Sequence, residues 1–185
     1  MKANLELATT IAHEAYDSKW RRDGKPYISH PLTVMTMVEL IGGDESDQIV
    51  ALCHDIVEDN KAWPLERFIH MGFDVQEVVT PLGLLSYTPE VPDAVARMGI
   101  LQNARAARVK QCDTAHNRFD RPKEHKIPFY DETLLLTERV TGKKVNEHLV
   151  RAAEQLVLYR FGDDYGVSEY MKESTARAEA NMGQG

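Results

Sequence analysis

The chain has 185 residues, the size of a single domain, and its 22 Lys and Arg against 29 Asp and Glu give a net charge of −7, a balance that argues against a protein built mainly to grip DNA, RNA or an anionic membrane. At 43% hydrophobic and 28% charged residues it has the makeup of an ordinary soluble globule, not of a disordered or fibrous chain. No stretch approaches the roughly 18 uninterrupted apolar residues of a membrane span, and the first ten residues contain Glu6 and no apolar signal core, so a cytoplasmic location is expected.

Helical periodicity runs through nearly the whole chain. Leu5, Ala8, Ile11, Ala12, Ala15 and Tyr16 recur at three- and four-residue intervals, which predicts a first amphipathic helix ending before the run Lys19-Trp20-Arg21-Arg22. Asp23-Gly24 and Pro26 mark a turn. Leu32, Met35, Val38 and Ile41 predict a second helix, stopped by Gly42-Gly43, whose freedom at positive φ suits a helix end. Asp44 is placed to cap a third, whose period continues from Ile49 through Val57 to about Asp59. Pro64 can start a short helix through Ile69. The stretch from Val78 to Asp93 carries Pro81, Gly83, Pro89 and Pro92 and reads as an irregular loop or mobile lid. Helix is expected to resume near Ala94, and Leu149, Ala152, Ala153, Leu156 and Val157 mark a late one. Strand-like alternation is scarce and no glycine-rich phosphate loop occurs, so the expected fold class is all-α.

The chemistry concentrates in the segment ALCHDIVEDN. His54 and Asp55 are adjacent, and Glu58 and Asp59 follow one helical turn later. Three carboxylates on little more than a turn repel one another by a few tenths of a kcal/mol per pair, roughly. With Ile56 and Val57 between them, part of the cluster is drawn toward the core, where an unpartnered carboxylate is costly to keep ionised. A divalent cation resolves that conflict, and imidazole with carboxylate suits Mn²⁺, Fe²⁺, Zn²⁺ or Mg²⁺. Two neighbouring residues cannot complete a coordination sphere; His30, before Pro31, and Asp113, in KQCDTAHN, are the best remaining candidates. By spacing alone, a hydrogen-bonded structural His-Asp pair is the commoner arrangement. Cys53 and Cys112 each precede one of these residues but fall about 100° away on a helix, which suits reduced thiols packed behind the ligands. Trp20 could stack on a base, although a tryptophan at a helix end is more often packed.

Three motifs in this order, RRDGKPYISHP, ALCHDIVED and KQCDTAHN, resemble the hydrolase domain of the RelA/SpoT family, including its small stand-alone members, within the wider HD phosphohydrolase superfamily. The resemblance covers about Leu5 to Phe119. It implies an all-α HD-domain bundle around one divalent metal, usually manganese, and hydrolysis of the 3′-pyrophosphate of guanosine tetra- or pentaphosphate. Carried over by position, it makes His30, His54, Asp55 and Asp113 the metal ligands. Glu58 and Asp59 match the acidic pair that positions or deprotonates the attacking water, Arg21 and Arg22 a basic pair near the substrate, and Asn117 a nucleotide contact. The expected organisation is a hydrolase domain over 1–160 and, from the polar, glycine-ended sequence beyond Phe161, a peripheral C-terminal helix with a frayed tail over 161–185.

Charge placement agrees with a polyphosphate. Lys19, Arg21, Arg22 and Lys25 face only Asp23 within seven residues, and the segment from Gln102 to Pro128 is likewise rich in Lys and Arg. Both flank proposed ligands and would focus an anion toward them while the rest of the surface repels it. Against the family pattern, Thr114 and Ala115 stand where arginine and leucine are usual, the stretch from Val79 to Glu90 lacks the usual basic and threonine residues, and a few extra residues precede Arg21. These departures bear on the base and leave the ligands untouched. The expected partner is therefore a nucleotide polyphosphate, not a nucleic-acid polymer or a membrane, with self-association through the C-terminal segment left open. One alternative is an HD phosphohydrolase for an adenosine alarmone, a nucleoside triphosphate or NADPH, separable by the products released. Another is a nucleotide-binding module without turnover, whose signature would be a missing ligand or acidic pair; neither is missing.

Overall fold

The computed structural model describes residues 3–21, 24–86, 90–120 and 122–162. Helices account for the architecture: α1 (Leu5–Tyr16), α2 (Ser29–Leu40), α3 (Glu45–Cys53), α4 (Ile56–Asp59), α5 (Leu65–His70), a π-helical turn (Val75–Val79) running into α6 (Thr80–Leu85), α7 (Asp93–Gln102), α8 (Ala104–Phe119), a 3₁₀ turn (Glu124–Lys126), α9 (Ile127–Thr141) and α10 (Glu147–Phe161). Among the described residues the sole β pairing is an isolated bridge between Trp20 and Pro26 that closes the turn after α1. No helix among them is long and apolar enough to cross a membrane.

Helix starts follow the side chains that satisfy their first N–H groups. The Asn4, Asn103 and Asn146 side chains accept from the backbone of Leu7, Ala106 and Leu149, and Asp44 forms a reciprocal capping box with Asp47 at the start of α3. The two glycines after α2 serve different ends. Gly42 takes a φ of +89°, the left-handed region that favours glycine. At Gly43 a Cβ would come within 2.4 Å of Val38 Cγ1 and 2.9 Å of Val38 O, so the α2–α3 corner closes only without a side chain.

Three helices form the interior. In α2 every residue from Ser29 to Val38 is buried, in α3 every residue from Ile49 to Cys53, and in α8 every residue from Gln111 to His116. They pack against one another, with α1 covering α3, α9 covering α8 and α10 covering α2. Trp63, Phe68, Leu52 and Met37 are among the largest fully buried side chains. Buried charge ties α3 to α8: Asp47, almost wholly enclosed, pairs with Arg108 and, at 2.8 Å, with Arg105, which also reaches Asp44 at 2.5 Å and Glu77 at 2.6 Å.

Two expectations are corrected. The third helix does not run unbroken to Asp59: it ends at Cys53, and α4 begins at Ile56. Nor is the stretch from Val78 to Asp93 a loop throughout, because Pro81 sits in the first turn of α6, where its missing N–H costs nothing. Residues 87–89 of that stretch lie outside the described residues, as does the expected C-terminal helix and tail from 163 onward.

Truncating Leu52 to Ala should cost about 2–5 kcal/mol of unfolding free energy, because the cavity it leaves lies between packed helices. Gly43→Ala should cost about 1–3 kcal/mol by overpacking. Urea denaturation midpoints at constant m-value test both.

Candidate metal centre and its cleft

Each of the three interior helices delivers part of one site. His30 lies in the first turn of α2, His54 and Asp55 in the break after α3, and Asp113 midway along α8. The break explains how adjacent residues can act together. On a continuous helix neighbouring side chains diverge by about 100°. Here His54 Nδ1–H donates to Ala51 O at 2.7 Å, the carbonyl that the Asp55 N–H would take in an unbroken helix. With both residues still in the right-handed helical region, His54 Nε2 lies 3.2 Å from Asp55 Oδ1.

The donor atoms of His30, His54 and Asp55 all lie within 4.8 Å of one another. Asp113 Oδ1 joins them, 3.3 Å from His30 Nε2 and 3.7 Å from His54 Nε2, and the two imidazole Nε2 atoms are 3.3 Å apart. Lone pairs thus converge from four side chains, three of them largely buried. Burial, helped by the neighbouring His116 and His54 rings, lowers the pKa of His30 to about 4 and keeps it a neutral donor. Burial also opposes charge on His54, but Asp55 and Asp113 outweigh it and raise His54 to about 9. The carboxylates therefore demand positive charge at this point. Two neutral-capable imidazoles and two carboxylates fit a borderline divalent cation, and this His/Asp group could hold one.

Supporting contacts fix the donors. Tyr27 Oη donates to Asp55 Oδ2 at 2.7 Å, and burial together with Asp55 pushes the phenol up so that it stays a donor. Asp113 is buried, which opposes ionisation, yet Lys110 at 2.9 Å and the two histidines hold it well below the usual carboxylate range. Asn117 Nδ2 donates to Asp113 Oδ1 at 2.6 Å, so this expected nucleotide contact also orients the carboxylate. Cys53 and Cys112 are buried free thiols, pushed up by burial.

The cluster opens into a cleft of about 800 Å³, within the size range of ligand sites. His30, Asp55, Asp113 and Glu58 line it; Arg21, Lys110, Lys123 and Lys126 add cations, and Trp20 and Tyr130 add aromatic surface. Asp59, exposed beside Glu58 at the end of α4, is raised by partial burial and by Asp55; its backbone oxygen accepts from Lys19 Nζ at 3.4 Å. Arg21 reaches the cleft while paired with Asp120 at 3.0 Å. Arg22 lies outside the described residues. Contrary to expectation, Trp20 is not packed away: 65% of it is exposed. Thr114 and Ala115, where the sequence departs from the family pattern, are buried inside α8.

Sequence reasoning missed Tyr27 as a partner of Asp55 and left Lys110, Lys123 and Lys126 undistinguished within a basic segment. The i,i+3 spacing of Lys110 and Asp113 was a readable signal; nothing local marked Tyr27. Other members of that segment serve the scaffold, Arg105 and Arg108 on Asp47 and Arg118 on Asp131 at 2.7 Å.

Residues 8–115 match the family described as HD domain. The bifunctional (p)ppGpp synthase/hydrolase SpoT of Escherichia coli K12 is 28% identical over 121 residues, covering 61% of this chain and 17% of SpoT. The guanosine-3′,5′-bis(diphosphate) 3′-pyrophosphohydrolase of Aquifex aeolicus is 32% identical over 108 residues, covering 57% of this chain and 15% of that protein. The chain thus spans about a sixth of the length of these curated relatives. A solved structure described as a metazoan ortholog of SpoT that hydrolyzes ppGpp superposes with a TM-score of 0.61 at 18% identity, over 84% of this chain and 96% of that one, and so shares the fold. With the family match spanning more than half of its length, the chain belongs to the HD-domain family.

Proposed function

We propose that residues 1–160 form a metal-dependent phosphohydrolase that removes the 3′-pyrophosphate from guanosine tetra- or pentaphosphate, acting in the cytoplasm with Mn²⁺ as its ion. The observation that carries this reading is the meeting of His30, His54, Asp55 and Asp113 at one end of a cation-lined cleft of nucleotide size. The names of the relatives from Escherichia coli and Aquifex aeolicus support the same bond and the same substrate class.

Held by those four side chains, the ion would lower the pKa of water and polarise a phosphoryl oxygen. The chain's own residues do the rest. Glu58 faces the cleft one turn beyond Asp55 and takes the proton of the attacking water, with Asp59 beside it as support. Lys110, Lys123 and Lys126, with Arg21 and Arg22, bind the phosphates. Asn117 orients Asp113 and borders the nucleotide. The water oxygen bonds to the phosphorus carried by the ribose 3′-oxygen, that P–O bond breaks, and the 3′-oxygen takes up a proton. The products are pyrophosphate and GDP or GTP. The burial of Thr114 and Ala115 keeps those two departures from the family pattern away from the cleft surface, which supports a guanosine substrate.

Incubating the Mn²⁺-loaded protein with guanosine tetraphosphate, nucleoside triphosphates and NADPH, and separating products by ion exchange, should yield GDP and pyrophosphate from the first substrate. Chelation should abolish turnover and Mn²⁺ restore it; undiminished turnover in chelator would sink the reading, and exclusive cleavage of NADPH would move it to another HD phosphohydrolase activity. Glu58→Gln should lower kcat about 10²- to 10⁴-fold while Mn²⁺ affinity is kept. Unchanged kcat would remove Glu58 from the role of base.

A further inference from the structure

Behind the site, on the side away from Asp55, lies a second group of polar side chains. His116 Nε2 is 3.5 Å from Glu154 Oε1 on α10 and 3.9 Å from Asp120 Oδ2. On its other edge, His116 Nδ1 is 2.7 Å from Nδ1 of His30. The two rings lie within 11° of coplanar with centroids 4.9 Å apart. At that nitrogen separation they meet edge to edge, as an in-plane N–H···N bond requires.

Proton placement follows from the geometry. Between two facing Nδ1 atoms one must donate and the other accept. If His30 is to present its Nε2 lone pair to a cation, its proton sits on Nδ1, and His116 is the acceptor. His116 then carries its own proton on Nε2, the atom that faces Glu154. Glu154 is suited to receive it: Oε2 is taken by Arg151 Nη1 at 2.9 Å, whereas Oε1, 3.5 Å from His116 Nε2, is buried and has no hydrogen-bond partner among the described residues.

A second cation at His116, Asp120 and Glu154 is the rival explanation, since their donor atoms lie within 4.8 Å of one another. The charges around it argue otherwise. Arg21 at 3.0 Å and Lys25 at 3.8 Å already pair with Asp120, and Arg151 with Glu154, so a divalent ion would enter beside three fixed positive charges.

We infer that Glu154 and His116 form a carboxylate–imidazole chain that fixes the ring orientation and tautomer of His30, making α10 a positioning element of the metal centre. This rests on the reading of His30 as a ligand. Glu154 touches neither metal nor substrate and acts through two rings. Such outer partners are worth about 10- to 100-fold in metal affinity.

Titration of the metal-free protein with Mn²⁺, followed by the electron paramagnetic resonance signal of free ion, tests the inference with Glu154→Gln, Glu154→Ala and, as a control on the same helix, Glu147→Gln. The Gln variant keeps the side-chain volume should the Ala variant fold poorly. The wild-type chain and the control should bind one ion with the same Kd, and the Glu154 variants about 10- to 100-fold more weakly. Imidazole ¹⁵N spectra of the Zn²⁺-loaded protein should show His116 as the Nε2–H tautomer, losing that preference in Glu154→Gln. Wild-type affinity in both Glu154 variants, an Nδ1–H tautomer of His116 in the wild-type protein, or two ions per wild-type chain with one lost in Glu154→Ala would each overturn the inference. A wild-type chain that binds no Mn²⁺ would instead remove the metal reading of the whole site, and this inference with it.

Discussion

Four side chains from three helices point lone pairs at one small volume, and the interior of this protein is arranged around the charge that this demands. Two imidazole Nε2 atoms 3.3 Å apart and carboxylate oxygens of Asp55 and Asp113 within 3.2–3.7 Å of them cannot be satisfied by each other's protons alone. Lys110 and Asn117 on Asp113, Tyr27 on Asp55 and the Ala51 carbonyl on His54 hold each donor in place. A pocket with its donors fixed in advance binds a cation without having to order them at the time.

The helices that supply these groups are the most buried ones, and that is a physical requirement. A site of converging lone pairs is stable only if its supports cannot relax away, so α2, α3 and α8 are each enclosed along the turns that carry a donor. At the break between Cys53 and Ile56 the Ala51 carbonyl serves the His54 ring, and two adjacent residues serve one centre. The Asp47 pairs with Arg105 and Arg108 lock α3 to α8 about two helical turns from His54, which keeps His54 and Asp113 in register.

The family match ends at residue 115, but the cleft does not. Asn117 and Asp120 at the end of α8, Lys123 and Lys126 in the following turn and Tyr130 on α9 all line it, and Glu154 on α10 lies against His116. In a chain of net charge −7, the cations that line the cleft make it the favourable approach for an anion. The part of the chain beyond the matched residues therefore bears both on what enters the cleft and on the ion site, which Asn117 braces through Asp113 and His116 through His30.

The sequence by itself determined the all-α class, the extents of α1, α2 and α5 to within a few residues and the nomination of His30, His54, Asp55 and Asp113, because periodicity, caps and short motifs are local and leave a linear trace. It also marked the basic segments but not their division of labour, since Lys110 and Arg108, two residues apart, go to different partners 60 or more residues away in one case and three in the other. Only the tertiary structure decided that the His54–Asp55 helix breaks, that Pro81 begins a helix, that Trp20 faces the cleft, and that Tyr27, His116 and Glu154 brace the site. Each of those depends on contacts between residues far apart in the chain, or on a backbone bend stabilised by them, and such contacts are fixed by packing in three dimensions.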